Sequence, residues 1–212
     1  MNRLTEKAIE LMPSGLMTAR DVFFLLGGTN NSRHAIVKRA LASREVLRIR
    51  RGLYCLAPKL LKTPMDSLAL AQHIYGPSYV SLETALAHHG WIPEAVHAVT
   101  SVCLKRPLQF DTPVGLFTYA RVPQEILFAD VERQSQKDGL TVFVAGPVKA
   151  LADYVYTYRK DWAGIEPVIK SLRIDEEQLD QVRAEEVASL AENYRSRRVK
   201  RFLKGLCRDL RP

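Results

Sequence analysis

The residues of this chain best suited to chemistry lie between Asn30 and Tyr54, in the run NNSRHAIVKRALASREVLRIRRGLY. At about 100° per residue, Asn31, Ala35, Lys38 and Ala42 fall on one face of a helix, with His34 and Arg39 at its flanks. That face is small, polar and basic, and no carboxylate precedes Glu45. Such a surface suits the DNA major groove, where Asn or Lys addresses base edges and alanine meets a thymine methyl. Ser32 is expected to cap the turn that follows it. Arg48, Arg50 and Arg51 follow as a dense positive ridge, fit for the phosphates beside a groove. The bland reading of those arginines is a charged strand edge that prevents aggregation.

The elements that must position these groups are legible in part. Ile36, Val37, Ala40 and Leu41 form an apolar helical stripe on the opposite face, and Arg33 falls at the angle of that stripe. In Val46–Arg50, Leu47 and Ile49 alternate with Arg48 and Arg50, which predicts a half-buried strand. Arg51-Gly52 predicts a tight turn, and Leu53–Leu56 a returning strand. Upstream, Leu4, Ala8, Leu11 and Met12 share one face of a first helix that Pro13-Ser14-Gly15 ends. Thr18 and Asp21 have the spacing of a capping box, and Val22, Leu25 and Leu26 form the next apolar face before Gly27-Gly28. Three helices and a hairpin in 60 residues is the order of a winged helix-turn-helix.

Charge is segregated along the chain. Residues 1–60 carry 11 Lys and Arg against four Asp and Glu, and residues 193–212 carry eight against one. Residues 61–164 are close to neutral, and 165–192 are acidic, with three against eight. A net charge of +8 concentrated at two ends points to nucleic acid met at those ends. The last basic run holds Arg195, Arg197, Arg198, Lys200, Arg201 and Lys204 around an apolar stripe of Val199, Phe202, Leu203 and Leu206. It is a possible second basic surface, for DNA or an acidic partner; alternatively its cations pair with Glu185, Glu186 and Glu192.

The rest of the chain predicts a mixed α/β region over 61–212, so the fold class is α+β. Pro58–Pro64 reads as a hinge, Thr63-Pro64 as a helix start running towards Tyr75, and Ser81 as the cap of a helix closed by Gly90. Strands are expected within 95–104, 116–122 and 140–144, then a helix from Pro147, and continuous helix over 165–206. Lys149 and Asp153 have the spacing of an i,i+4 pair.

Several classes lack their signals. His88-His89 has only Glu83 nearby, so a helix-end role is expected and no metal or cofactor. Asp111, Asp130, Glu132 and Asp138 are scattered, and no phosphate-loop, GxGxxG or GxSxG pattern occurs, so no enzyme is expected. Cys55, Cys103 and Cys207 are odd in number and far apart, which fits a reducing cytoplasm. Met1-Asn2-Arg3 leads into an amphipathic segment, so no secretory leader is expected, and no apolar run reaches membrane-spanning length. A nucleic-acid-processing enzyme (a nuclease or nucleotidyltransferase) and a protein-interaction module remain the alternatives.

Four features of the chain together resemble the AbiEi-type antitoxins of type IV toxin–antitoxin systems. They are the N-terminal region, its RIRRGLY at 48–54, YVSLETALAHHG at 79–90 and AGPVKALADYVY at 145–156. The matching positions are Tyr79, Ser81, Leu82, Ala85, Leu86, His89 and Gly90, then Gly146, Pro147, Lys149, Ala150, Leu151 and Asp153. The resemblance implies a cytoplasmic repressor of its own operon that binds double-stranded operator DNA, with inverted repeats as a possible arrangement. It also implies that the second region counteracts a nucleotidyltransferase-type toxin.

Overall fold

Helical stripes and capping residues divide the chain into ten α-helices and two sheets among the described residues, a mixed α+β structure. The computed structural model describes residues 1–93 and 96–210. The expected strand start at Ala95 lies outside them.

The N-terminal part runs α1 (Arg3–Leu11), β1 (Leu16–Thr18), α2 (Ala19–Leu26), α3 (Asn30–Ala42), β2 (Val46–Arg50) and β3 (Leu53–Leu56). Asn2 caps α1 through its side chain, and Leu4, Thr5 and Ala8 are buried. Leu11, expected on that buried face, is instead 56% exposed at the end of the helix, while Ile9 and Met12 pack against the core there. The Thr18–Asp21 capping box forms as the spacing predicts. Sequence periodicity did not reveal β1, which pairs antiparallel with β3 and makes the sheet three-stranded, in the order β1-β3-β2.

This small sheet buries both of its faces. Met17, Val46 and Leu56 join Leu4, Ala8, Val22, Leu25, Leu26 and Ala40 in the helical core. Leu16, Ile49, Leu53 and Cys55 point the other way, into the larger core.

The larger sheet has six strands in the order β6-β7-β5-β4-β9-β8. They are β4 (Ser78–Val80), β5 (Ala98–Cys103), β6 (Leu108–Thr112), β7 (Gly115–Arg121), β8 (Val131–Ser135) and β9 (Thr141–Ala145). β5–β7 and β4–β9 pair in parallel and the rest antiparallel. After a short 3-10 turn at Pro58–Leu60, α4 (Ser67–Ile74) begins three residues later than Pro64 suggested, because Asp66 supplies the cap to Leu68 N. α5 (Leu82–His88) packs on β5 and on α6 (Pro147–Thr157), which in turn packs on α10 (Arg197–Asp209).

The expected continuous helix beyond residue 165 is four helices: α7 (Glu166–Leu172), α8 (Glu176–Leu179), α9 (Ala184–Glu192) and α10 (Arg197–Asp209). Arg173, in the left-handed region at φ 53°, ends α7. Val199, Phe202, Leu203 and Leu206 are fully buried, as their spacing predicts. Gly205 lets α10 approach the chain at 163–164, since a Cβ there would sit 2.5 Å from Gly164 N. Among the described residues no helix is long and apolar enough to cross a membrane.

Candidate nucleic-acid interface

α3 begins two residues before Ser32. Its cap is Thr29, whose side chain accepts from Ser32 N, while the Ser32 hydroxyl donates back to Thr29 O at 2.9 Å. The expected Ser32 cap is therefore displaced, and Ser32 joins the exposed first turn. Ala40 is buried, and Ile36, Val37 and Leu41 pack partly buried against the helical core. Asn31, His34, Ala35, Lys38, Arg39 and Ala42 are exposed, so helical periodicity placed every one correctly. Arg33 turns inward: it donates to the Gly27 and Gly28 carbonyls and to Asn30 Oδ1, with its guanidinium 4.6 Å from the Phe23 ring centroid. It pins the turn between α2 and α3.

The hairpin departs from strict alternation. A register shift between Arg48 and Arg50 pairs Arg48 with Tyr54 and Arg50 with Leu53. Directly opposed residues share a sheet face, so Arg48 lies beside Tyr54 on the helical side. Arg50 lies beside Leu53 on the side of the larger core. There its guanidinium donates to His73 O at 3.1 Å and Arg51 O at 3.2 Å. The expected ridge of three arginines is thus split by the bulge. Gly52 adopts φ 78° in the turn, and its carbonyl accepts from Ala19 N at 2.9 Å, fastening the hairpin tip to the start of α2.

Lys38, Arg39, Arg48 and Arg51 are exposed and have no ion pair among the described residues. Glu45, the sole carboxylate of residues 30–54, is taken up by α1. It accepts from Thr5 Oγ1 at 2.7 Å and Asn2 N at 2.8 Å, and these bonds hold its carboxyl below the usual range.

The C-terminal cations are differently placed. Arg195 makes a forked pair with Glu125, at 2.7 and 3.0 Å. Arg201 pairs with Asp161, and Lys200 with Glu192 at 3.7 Å. Of the anticipated partners only Glu192 is used; Glu186 pairs with Arg183. Arg197, Arg198 and Lys204 have no ion pair among the described residues.

A buried polar cluster escaped sequence reasoning. Lys149 and Asp153 are both fully buried. Asp153 accepts from the hydroxyls of Tyr79, Ser81 and Tyr194, each at 2.8 Å. Lys149 Nζ donates to Gln124 Oε1 at 2.6 Å and lies 5.0 and 5.3 Å from the Tyr79 and Tyr194 ring centroids. Burial raises the Asp153 carboxyl and lowers the Lys149 ammonium, and their mutual attraction opposes both shifts. Ser81 donates its hydroxyl to Asp153 and makes no side-chain cap to α5, whose Thr84 N donates to Thr100 Oγ1 at 3.2 Å instead. The segments 79–90 and 145–156 meet here, and His89 Nε2 adds a 2.9 Å contact to Ala145 O. Hydroxyl-saturated and closed to water, the cluster locks β4, α6 and the turn before α10 together. Helical periodicity carried no signal for it, because Lys149 and Asp153 lie off the apolar stripe of α6 and are buried by partners from other elements.

Among the described residues no three His, Cys, Asp or Glu side chains gather as metal ligands. No family model matches the chain, and no curated protein matches it significantly.

Proposed function

We propose that this chain is a sequence-specific DNA-binding repressor. In this reading residues 1–60 act as a winged helix-turn-helix. α3 enters the major groove and the β2–β3 hairpin lies along the flanking backbone. The observation that carries the reading is the outward face of α3, with Asn31, His34, Ala35, Lys38 and Arg39 exposed. Base-edge contacts come from Asn31 and Lys38, close approach from Ala35, and phosphate contacts from Arg39, Arg48 and Arg51. Arg50, held by the His73 carbonyl, is left out of the phosphate set.

The resemblance to AbiEi-type antitoxins extends the proposal. The operator is that of the chain's own operon, and residues 61–212 counteract a nucleotidyltransferase-type toxin in the cytoplasm. The Lys149–Asp153 cluster is assigned no catalytic part, because its hydroxyl partners leave no face open to a substrate.

Selection of bound sequences from a random duplex pool, followed by titration of the selected and a scrambled duplex, tests the reading. A recovered consensus that binds more tightly than the scrambled duplex supports it. Enrichment of no sequence would overturn it.

A further inference from the structure

A cleft of about 700 Å³ opens between the β6–β7 edge of the large sheet, the last turn of α6 and the first turn of α10. Arg121 reaches it from the end of β7, Arg159 from the residue pair after α6, and Arg198 from α10. No carboxylate lines it, and none of the three guanidiniums has an ion pair among the described residues. Three unneutralised cations from three separate elements line one cleft, and an anion there gains attraction from all three. Guanidinium forks match phosphate oxygens in particular.

Two more observations narrow the anion. Thr157 lines the cleft, and its hydroxyl is buried beneath the surface without a hydrogen-bond partner. Such a group wants a ligand atom or water. Tyr156 and Tyr158 stand beside the arginines, and Tyr158 is 44% exposed. Arg159 holds φ 54°, a left-handed conformation that glycine or asparagine takes with less strain, yet an arginine stands there. An aromatic surface next to clustered arginines is the pairing that takes a base and its phosphates. The volume also suits one small ligand.

We propose that this cleft binds a phosphorylated nucleotide, with Arg121, Arg159 and Arg198 on the phosphates and Tyr158 against the base. The source is either a free nucleotide or the phosphorylated end of a single strand. The site is separate from α3, so it stands or falls independently of duplex recognition.

The test titrates the full chain with ADP, inorganic pyrophosphate, adenosine and a short 5′-phosphorylated thymidine oligonucleotide, by calorimetry at low and physiological salt. Saturable ADP binding is expected, weakened about tenfold or more in Arg121→Gln/Arg198→Gln and retained in Lys38→Ala/Arg39→Ala. Binding of the oligonucleotide but not of ADP, lost in the same cleft variant, identifies a strand end as the source. Arg121 is exposed and Arg198 unpaired, so circular dichroism should show a native fold; if the double variant unfolds, Arg121→Glu alone carries the comparison. Tyr158→Ala should weaken ADP and leave pyrophosphate unchanged. Equal affinity for ADP and pyrophosphate, insensitive to Tyr158→Ala, would overturn the nucleotide assignment. So would ADP and oligonucleotide affinities that ignore the arginine changes, or no saturable binding at all.

Discussion

The helices α3 and α10 are both 13 residues long and both rich in cations, yet the structure uses them in opposite ways. α3 buries one residue, Ala40, and leaves a carboxylate-free face in water. α10 buries six, including Phe202 and Leu206, and Lys200, Arg201 and Arg208 have carboxylate neighbours. Both lie in runs of charge +7 at the two ends of the chain, so charge alone does not tell them apart. What distinguishes them is how much of each is already committed to the protein. A cation paired internally loses part of its gain on meeting a phosphate, whereas an unpaired one releases counterions in full.

The largest expected effect lies in neither helix but in the cluster that ties the turn before α10 to α6 and β4. Asp153→Ala removes the acceptor of three buried hydroxyls and the carboxylate that offsets the Lys149 charge, and each buried polar group left unsatisfied costs about 1–3 kcal/mol. Denaturant unfolding measures the loss, and Asp153→Asn, which keeps an acceptor, should lose less. A curve for Asp153→Ala that overlays the parent would show that the cluster does not hold the fold.

A second experiment sharpens the division within the hairpin. Arg48→Ala/Arg51→Ala should weaken binding to all duplexes alike and reduce the slope of log K against log salt by about 0.9 per lost phosphate contact. Arg50→Ala should leave that slope unchanged, since its guanidinium is held by the His73 carbonyl. Equal slope changes in the two variants would erase the distinction drawn from the bulge.

The smallest effect is expected on α10. Arg197→Ala/Arg201→Ala should change duplex affinity by less than about threefold, as solvated, partly paired cations contribute little. A loss matching that of the hairpin variant would make α10 a duplex contact as well. Failure to neutralise a toxin with duplex binding intact would mark it as a protein-binding surface.

The exposed face of α3 was legible because a regular helix converts sequence spacing directly into direction, and no tertiary contact overrode it between Asn31 and Ala42. The hairpin was legible as a hairpin but not in its register. The bulge at Ile49 depends on which core each residue joins, and strict alternation carries no record of that. β8 was missed because Val131–Ser135 is mostly polar on an edge, and β4 because three residues are too few to show a period. Lys149 and Asp153 read as an i,i+4 pair, and their complete burial left no trace in the sequence, since charged residues are rarely buried whole. Their real partners, Tyr79, Ser81, Gln124 and Tyr194, lie 25 to 74 positions away. The breaks at 173–175, 180–183 and 193–196 interrupt a pattern that local propensity alone would continue.

The central claim is that α3 reads base pairs while the hairpin only holds the backbone. The most direct measurement compares Asn31→Ala and Lys38→Ala on the selected duplex and on a scrambled one, at fixed salt. Each variant should lose about 1–3 kcal/mol on the selected duplex, far less on the scrambled one, and melt with the parent protein. Equal losses on both duplexes would contradict the claim and reduce α3 to one more phosphate contact.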